Sequence, residues 1–249
     1  MRVAIISTPR SGNTWLRKIL SKLYDLKEYA IHRPDDIDWV SLPNRCILQI
    51  HWHRDPGMIS LLDLHGFKMI TISRHPLDVL ISILHFSSYE PQTSQWLDGE
   101  GGVELPIHGC SPTSAKFLDY ASGMRSKALL SVTQEWWSES NVIRVRYEDL
   151  VHTPSVVIAS ICQDIGSIPI DIDSTIESLA FDDLRKTSSN HHFWKGTPGI
   201  WKSLLPPKIA YAIAKKHQAS FIKLGYLCDP LVNLSDDDAI SNWLSFSHK

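Results

Sequence analysis

Residues 3–20 read Val-Ala-Ile-Ile-Ser-Thr-Pro-Arg-Ser-Gly-Asn-Thr-Trp-Leu-Arg-Lys-Ile-Leu, and their pattern indicates the architecture of the chain. An apolar, mostly β-branched run ends in small and polar residues, which lead straight into a helix-forming segment. The pattern predicts a strand, a tight turn and the start of a helix. The backbone N–H groups of such a turn point towards a ligand bound at the start of the helix, and the helix dipole favours an anion there.

The polar side chains of this turn add to its affinity for an anion. Arg10 brings a fixed positive charge, and Ser11, Asn13 and Thr14 bring hydroxyl and amide groups. The turn is not a Walker A loop, because Gly12 is its one glycine and Arg10 precedes it. We therefore predict a cradle for a phosphate or a close relative. Taken alone, the segment also fits an ordinary strand-to-helix turn.

Three further segments follow in order along the chain. In residues 68–82 an apolar strand ends at Arg74, and Ser82 lies about two turns into the helix that follows. Residues 141–149 read Asn-Val-Ile-Arg-Val-Arg-Tyr-Glu-Asp and alternate as a core strand does. Residues 193–202 read Phe-Trp-Lys-Gly-Thr-Pro-Gly-Ile-Trp-Lys.

Together, over residues 3–226, these segments resemble the cytosolic-type sulfotransferases that use 3′-phosphoadenosine 5′-phosphosulfate (PAPS). The first resembles the family's 5′-phosphosulfate loop, with Arg10 where the family has Lys and Asn13 where it has Thr. The resemblance implies that Arg10 also acts in catalysis, by stabilising charge on the departing 5′-phosphate. It implies cofactor contacts from Arg10, Ser11, Gly12, Asn13, Thr14 and Trp15.

The other segments correspond to further parts of the family's cofactor site. Arg74 and Ser82 match its 3′-phosphate pair, and Tyr147 matches the tyrosine beside the adenine. The simpler interpretation of Arg74 and Ser82 is a surface arginine and an ordinary helical serine. The simpler interpretation of Tyr147 is an aromatic residue of the core. The last segment resembles the loop Arg-Lys-Gly-x-x-Gly-Asp-Trp-Lys and implies contacts from Phe193, Trp194, Lys195 and Gly196.

Two substitutions in that loop depart from the family pattern. Trp194 replaces its Arg, and Ile200 replaces its Asp. We expect cofactor affinity to depend more on Arg74 and Lys195 as a result.

The candidate general base lies in residues 45–56, Arg-Cys-Ile-Leu-Gln-Ile-His-Trp-His-Arg-Asp-Pro. The segment resembles the family's Lys-Thr-His strand end, so the resemblance makes His51 the catalytic histidine. Gln49 replaces the Lys, which predicts a slower enzyme or a compensating donor elsewhere. His53 lies on the same side of an extended strand and is a rival or helper. A strand-end histidine bonded to backbone is the simpler interpretation of His51.

A zinc site is the alternative use of the histidines. His51 and His53, with His191 and His192, could supply ligands. The sequence has no Cys-x-x-Cys or His-Glu-x-x-His motif, and we expect no metal.

The pattern of elements predicts an α/β fold. The fold expected is a central parallel β-sheet flanked by helices on both faces, in one P-loop-like nucleotide-binding (sulfotransferase) domain over residues 1–228. Residues 229–249 form a tail packed on or extending from that domain. The predicted strands are 2–7, 45–51, 68–73 and 141–147, and the predicted helices are 14–24, 76–86, 114–138, 153–165 and 206–224.

The composition limits the partners. The chain has 249 residues and a net charge of −2, so nothing marks it as a nucleic-acid binder. We expect neither a signal peptide nor a membrane-spanning segment, and the four scattered cysteines are typical of a reduced, cytoplasmic protein. We expect a small-molecule acceptor, whose pocket the loop over residues 87–114 helps to shape by resemblance, and we allow for a homodimer.

The sequence thus predicts in-line transfer of a sulfuryl group from PAPS to a hydroxyl or amine. Two alternatives are a non-catalytic or weakly active PAP(S)-binding protein and a nucleotide kinase-like phosphotransferase. The missing Walker Lys and Mg²⁺-binding acidic pattern oppose the second. The acceptor, O- or N-sulfation and the oligomeric state are not specified by the sequence.

Overall fold

The computed structural model describes residues 1–166, 171–187 and 193–247. The chain folds into two compact units. The first unit consists of Met1–Arg74 and Val132–Gly196, and the second of His75–Ser131 and Thr197–Lys249.

The first unit contains a parallel sheet of five strands, in the order β2-β3-β1-β4-β5. The strands are β1 (Arg2–Ile6), β2 (Lys27–Ile31), β3 (Cys46–Ile50), β4 (Phe67–Ser73) and β5 (Val142–Arg146). The predicted α/β fold with a central parallel sheet is confirmed. The edge strand β2 was not predicted, because most of its residues are exposed and no apolar run marks it.

Twelve α-helices accompany the sheet in the described residues, with 3₁₀ turns at Pro34–Asp36, Pro91–Gly99, Leu105–Ile107 and Ile200–Ser203. The helices are α1 (Asn13–Tyr24), α2 (Pro56–Leu64), α3 (Pro76–Ser87), α4 (Ala115–Ala121), α5 (Met124–Trp136), α6 (Tyr147–His152), α7 (Pro154–Ile165), α8 (Ile172–Glu177), α9 (Phe181–Thr187), α10 (Pro207–Lys216), α11 (Gln218–Leu224) and α12 (Asp236–Ser247).

Three predicted elements have different bounds in the structure. The helix expected over residues 114–138 is divided into α4 and α5 at Gly123, and the helix over 206–224 is divided into α10 and α11 at His217. His217 donates from Nε2 to the Ala121 carbonyl oxygen at 2.6 Å, which fixes this break within the second unit. Tyr147 was expected at a strand end, but it begins α6.

Both faces of the sheet are buried. On one face, side chains from the strands form a core with α1, α6 and α7. Ala4, Ile6, Leu48 and Ile50 occupy the alternating positions and are also fully buried. This double burial explains the continuous apolar runs that made β1, β3 and β4 visible in the sequence.

The carboxyl end of β1 is the topological switch point. The chain reaches β3 on one side of β1 and β4 on the other, and parallel sheets bind ligands in the crevice at such a point. A polar or aromatic residue directly follows each strand. These residues are Ser7, His32, His51, Arg74 and Tyr147.

In the second unit, the loop expected over residues 87–114 is held by a buried ion pair. Arg125 Nε donates to Glu104 Oε1 at 2.7 Å, and the Tyr120 hydroxyl donates to the same oxygen at 3.0 Å. The same guanidinium also donates to the carbonyl oxygens of Thr93, Trp96 and Glu100. Because this buried charge pair has its hydrogen bonds satisfied, it fixes the conformation of the loop.

We predict that Thr133→Val destabilises the protein through the turn after β1. Thr133 Oγ1 accepts from the Thr8 N–H at 2.8 Å and donates to the Ile72 carbonyl at 3.1 Å, and all three residues are buried. Valine keeps the shape and removes both buried hydrogen bonds, so the free energy of unfolding should fall by about 1–3 kcal/mol in urea titration. Thr153→Val removes an exposed hydroxyl and is the matched control. Equal effects of the two substitutions would refute the role of Thr133.

Candidate active site

The backbone of the turn after β1 is left-handed at two positions. Arg10 has φ 67° and Gly12 has φ 98°. A Cβ atom on Gly12 would lie 2.6 Å from Cδ2 of Tyr147, so both the conformation and the lack of space require glycine. Gly12 is also the N-cap of α1, and no side-chain hydrogen bond caps the helix from that position. The backbone N–H groups in the first turn of α1 can thus bind a ligand.

Neighbouring groups hold this turn in shape. Asn13 Nδ2 donates to the Thr8 carbonyl at 3.0 Å, and Arg74 donates from a terminal guanidinium nitrogen to the Arg10 carbonyl at 2.9 Å. The side-chain amide of Asn13, which was predicted to bind a ligand, therefore stabilises the loop itself. The Arg74 guanidinium carbon lies 4.4 Å from the centre of the Tyr147 ring, and the Tyr147 hydroxyl donates to the Gly196 carbonyl at 2.8 Å. The loop, Arg74, Tyr147 and Gly196 thus form one contact network.

Two buried donors in this network have no hydrogen-bond partner among the described residues. They are Ser11 Oγ and Arg74 Nε. A buried polar atom left unpaired costs about 1–3 kcal/mol, so native proteins rarely keep one without a reason. Both are donors beside a helix N-terminus, and this donor set fits an anionic group.

The charges in the turn also favour an anion. Burial of the guanidinium, and then the positive charge of Arg74, lower the pKa of Arg10 to about 9, against the opposing effect of Tyr147. Arg10 therefore stays protonated at pH 7, close enough to Arg74 for the two cations to repel. A bound anion would remove that repulsion.

His51 is buried and makes a backbone hydrogen bond directly after β3. Its Nδ1 lies 2.7 Å from the Ser7 carbonyl oxygen. A carbonyl only accepts, so Nδ1 carries the proton and Nε2 carries the lone pair. Burial lowers the pKa of His51 to about 4, the positive charges of its neighbours lower it further, and the bond to Ser7 raises it. His51 is thus neutral at pH 7 and has the tautomer that a base acting through Nε2 needs.

Arg17 supplies a cation beside Gln49. It donates from a terminal guanidinium nitrogen to Gln49 Oε1 at 2.9 Å and from Nε to Glu28 at 2.8 Å. Its charge also contributes to the lowered pKa of His51. The sequence analysis missed Arg17, although it lies one helical turn after Thr14 and so was within reach of the site.

His53 takes a different place from the one expected. β3 ends at Ile50, so the alternation of an extended strand does not continue to His53. Its Nδ1 lies 3.1 Å from both carboxylate oxygens of Glu135, which also accepts from the Arg54 N–H. His53 is therefore paired with a carboxylate, whereas His51 is paired with the backbone.

Several predicted cofactor residues have structural contacts of their own. The Trp15 indole donates to the Leu179 carbonyl at 3.0 Å, and Trp15 and Phe193 belong to the hydrophobic core. Trp194 is also buried, while Thr14 and Lys195 are half-buried. Ser82 is buried on α3 in the second unit, and its pairing with Arg74 stays a prediction.

Asp78 holds the backbone of residues 199–201 within the second unit. Its carboxylate accepts from the Gly199 N–H at 2.6 Å and the Trp201 N–H at 3.0 Å, and it is fully buried. Ile200, which stands where the family has Asp, lies between these two N–H groups. Asp78 precedes Ser82 by one helical turn, so α3 links the loop to the predicted phosphate serine.

The remaining expectations concern metals, membranes and cysteines. Within the described ranges, no three His, Cys, Asp or Glu side chains are grouped to hold a metal ion, and no helix could cross a membrane. His191 and His192 lie outside the described residues. All four cysteines are unbridged, and Cys46 and Cys162 are buried as predicted.

Comparison with known proteins decides the family. A family model described as a sulfotransferase domain matches residues 1–225. The chain belongs to the sulfotransferase family. The resemblance read from the four sequence segments, and the enzyme class it implied, are confirmed.

Relatives and solved structures agree with this assignment. Sulfotransferase 6B1 of Mus musculus is 24% identical over 223 residues, covering 81% of this chain and 70% of that protein. The protein of the same name from Homo sapiens is 23% identical over 228 residues, with the same coverage. Mouse sulfotransferase SULT7A1 complexed with PAP has a TM-score of 0.64 at 17% identity, covering 91% of this chain and 89% of that one. Retinol dehydratase in complex with androsterone and inactive cofactor PAP has a TM-score of 0.56 at 15% identity, covering 88% and 80%.

We predict that His51 makes stability depend on pH. Its pKa of about 4 in the folded protein is below the value near 6.5 expected when unfolded, so unfolding takes up a proton between these values. From pH 7 to pH 5 the wild type should lose about 1–2 kcal/mol more unfolding free energy than His51→Gln, measured by urea titration. Parallel pH profiles for the two proteins would contradict the buried, neutral state of His51.

Proposed function

We propose that this sulfotransferase moves the sulfuryl group of PAPS to a hydroxyl or amine of a small-molecule acceptor, with His51 as general base. One observation carries the proposal. Two buried donors, Ser11 Oγ in the turn after β1 and Arg74 Nε directly after β4, have no partner among the described residues, and a neutral histidine follows β3, the strand beside β1. An anion site and a base are the two parts that in-line sulfuryl transfer requires.

The residues of the first unit fit the cosubstrate. PAPS supplies the sulfuryl group, and mouse SULT7A1 and retinol dehydratase, which share this fold, were both solved in complex with PAP. We propose that the α1 N-terminus, Arg10 and Ser11 bind the 5′-phosphosulfate end and Arg74 binds the 3′-phosphate. Arg74 suits that role because its Nε is buried and lacks a partner among the described residues. Tyr147 and the segment 193–196 would contact the nucleoside.

Each catalytic role follows from a local contact. The Ser7 carbonyl holds the His51 ring with Nε2 as the acceptor of the proton that the nucleophile loses. Arg10 remains charged and would stabilise negative charge on the departing 5′-phosphate. Arg17, held by Gln49 and Glu28, would supply the cation that the family places at position 49.

A non-catalytic PAP(S)-binding role is the second candidate, because Gln49, Trp194 and Ile200 depart from the family pattern. A cytoplasmic location and small-molecule sulfation are parts of our proposal, supported by the resemblance to cytosolic-type members and by four unbridged cysteines. A homodimer and the domain bounds 1–228 and 229–249 also stay predictions.

The cofactor assignment is tested by Arg74→Ala. Losing charge-assisted hydrogen bonds to a phosphate should weaken PAP binding by about 10–100-fold. Affinity for 5′-AMP, which lacks the 3′-phosphate, should change less, and Arg74→Lys should give an intermediate result. Calorimetric titration measures all of these affinities. An unchanged ratio of PAP to AMP affinity would show that Arg74 does not contact the 3′-phosphate.

The base assignment is tested by comparing His51→Gln with His53→Gln. Loss of a general base should lower turnover about 10²–10⁴-fold, with PAP affinity kept within about 3-fold. The His53 variant should stay within about 5-fold of wild type, because His53 faces Glu135. PAP release is followed with a panel of phenols, alcohols and amines. The reverse pattern would assign the base to His53, and binding of PAP by a wild type inert towards the whole panel would favour the non-catalytic role.

A further inference from the structure

We propose that His32 is a second residue of the acceptor site, where its imidazole binds a polar group next to the oxygen that loses its proton to His51. The inference rests on the proposed function and adds a substrate class to it. Acceptors should carry two neighbouring hydrogen-bonding groups, as catechols and 1,2-diols do.

The strand register places His32 next to His51. In the parallel pairing of β2 with β3, Ile31 is opposite Ile50, and the two histidines are the next residues of their chains. Paired residues of neighbouring strands lie about 5 Å apart. Both histidines therefore follow the carboxyl ends of adjacent strands, beside the switch point at β1.

The side chains on these strands indicate that the two rings share one face. Arg17 of α1 reaches both Glu28 of β2 and Gln49 of β3, so these positions face the same side of the sheet. Side chains alternate along a strand, and His32 and His51 continue the rows of Glu28 and Gln49. The proximity agrees with the effect of His32 on its neighbour, since a positive charge on His32 lowers the pKa of His51.

His32 has a buried nitrogen that nothing in the described chain satisfies. Its Nδ1 is inaccessible to solvent and makes no hydrogen bond to a described residue. The corresponding nitrogen of His51 is satisfied by the Ser7 carbonyl. An unpaired buried nitrogen is costly, so a ligand group that pairs with it gains affinity.

Hydrogen bonds fix the backbone at His32. Asp36 Oδ2 accepts from the N–H groups of His32 and Arg33, each at 2.9 Å. The Trp39 indole donates to the Pro34 carbonyl at 2.7 Å and closes the same turn. A residue fixed in this way can position a substrate at little cost in conformational entropy.

The chemistry of an imidazole sets the class of acceptor. Neutral imidazole has one donor and one acceptor nitrogen, so Nδ1 can pair with a hydroxyl, amine or carbonyl group. While His51 Nε2 takes a proton from one oxygen, a group on the adjacent atom would lie towards His32. An acceptor without that group leaves Nδ1 unpaired, and sites with such buried polar atoms reject the incomplete analogue.

Matched acceptors test the inference. We expect wild-type kcat/KM to be at least about 10-fold higher for catechol than for phenol, or for 1,2-cyclohexanediol than for cyclohexanol. His32→Phe should bring the ratio close to one by losing activity on the dihydroxy acceptors, with the others within about 3-fold. His32→Asn, whose amide can occupy the Nδ1 position, should keep part of the preference. His152→Phe is the control, since His152 is exposed at the end of α6.

The outcomes separate this inference from the proposed function. A wild-type preference that survives in His32→Phe, a wild-type ratio near one, or an equal loss on both acceptors would each overturn the role of His32. If none of the four acceptors is turned over, calorimetric binding of catechol and phenol to the PAP-saturated protein decides, and equal affinities refute the inference. Failure to bind PAP would instead refute the proposed function.

Discussion

The left-handed backbone of the turn after β1 is the constraint on which the rest of the site depends. Arg10 and Gly12 adopt a conformation that is costly for any residue with a side chain, and the surroundings maintain it. Tyr147 packs where a Cβ of Gly12 would be, and Arg74 donates to the Arg10 carbonyl. The residues that maintain this strained backbone therefore also face the proposed ligand. The same groups fix the conformation of the turn and determine which ligand it binds.

The parallel sheet gathers the other groups at the same edge. Four of its five strands are followed at once by a candidate site residue, and Ser7, which follows β1, accepts the hydrogen bond of His51, because parallel strands end together. Burial, and to a lesser extent the neighbouring positive charges, lowers the pKa values of both Arg10 and His51. An enzyme that binds a multiply charged anion and needs a neutral base benefits from both effects.

The sequence predicted those features best whose residue types have a single structural explanation, such as a buried apolar run or a glycine in a tight turn. Buried apolar runs revealed β1, β3 and β4, alternation revealed β5, and the glycine-centred turn revealed the cradle. The exposed strand β2 lacks such a run, so neither it nor the place of His32 could be predicted. Arg17 was missed for a similar reason, because its partners Gln49 and Glu28 belong to strands whose pairing the sequence does not state. Trp15 and Phe193 matched a binding motif, yet their contacts are those of core residues.

The proposed function depends most on the binding of the 5′-phosphate end of the nucleotide by backbone amides at the α1 N-terminus. The most direct measurement is the ¹⁵N–¹H spectrum of the labelled protein during titration with PAP. The amides of Ser11, Gly12, Asn13 and Thr14 should show the largest downfield shifts as they bond to phosphate oxygens. Saturation with PAP that leaves these four amides unmoved would contradict this binding mode.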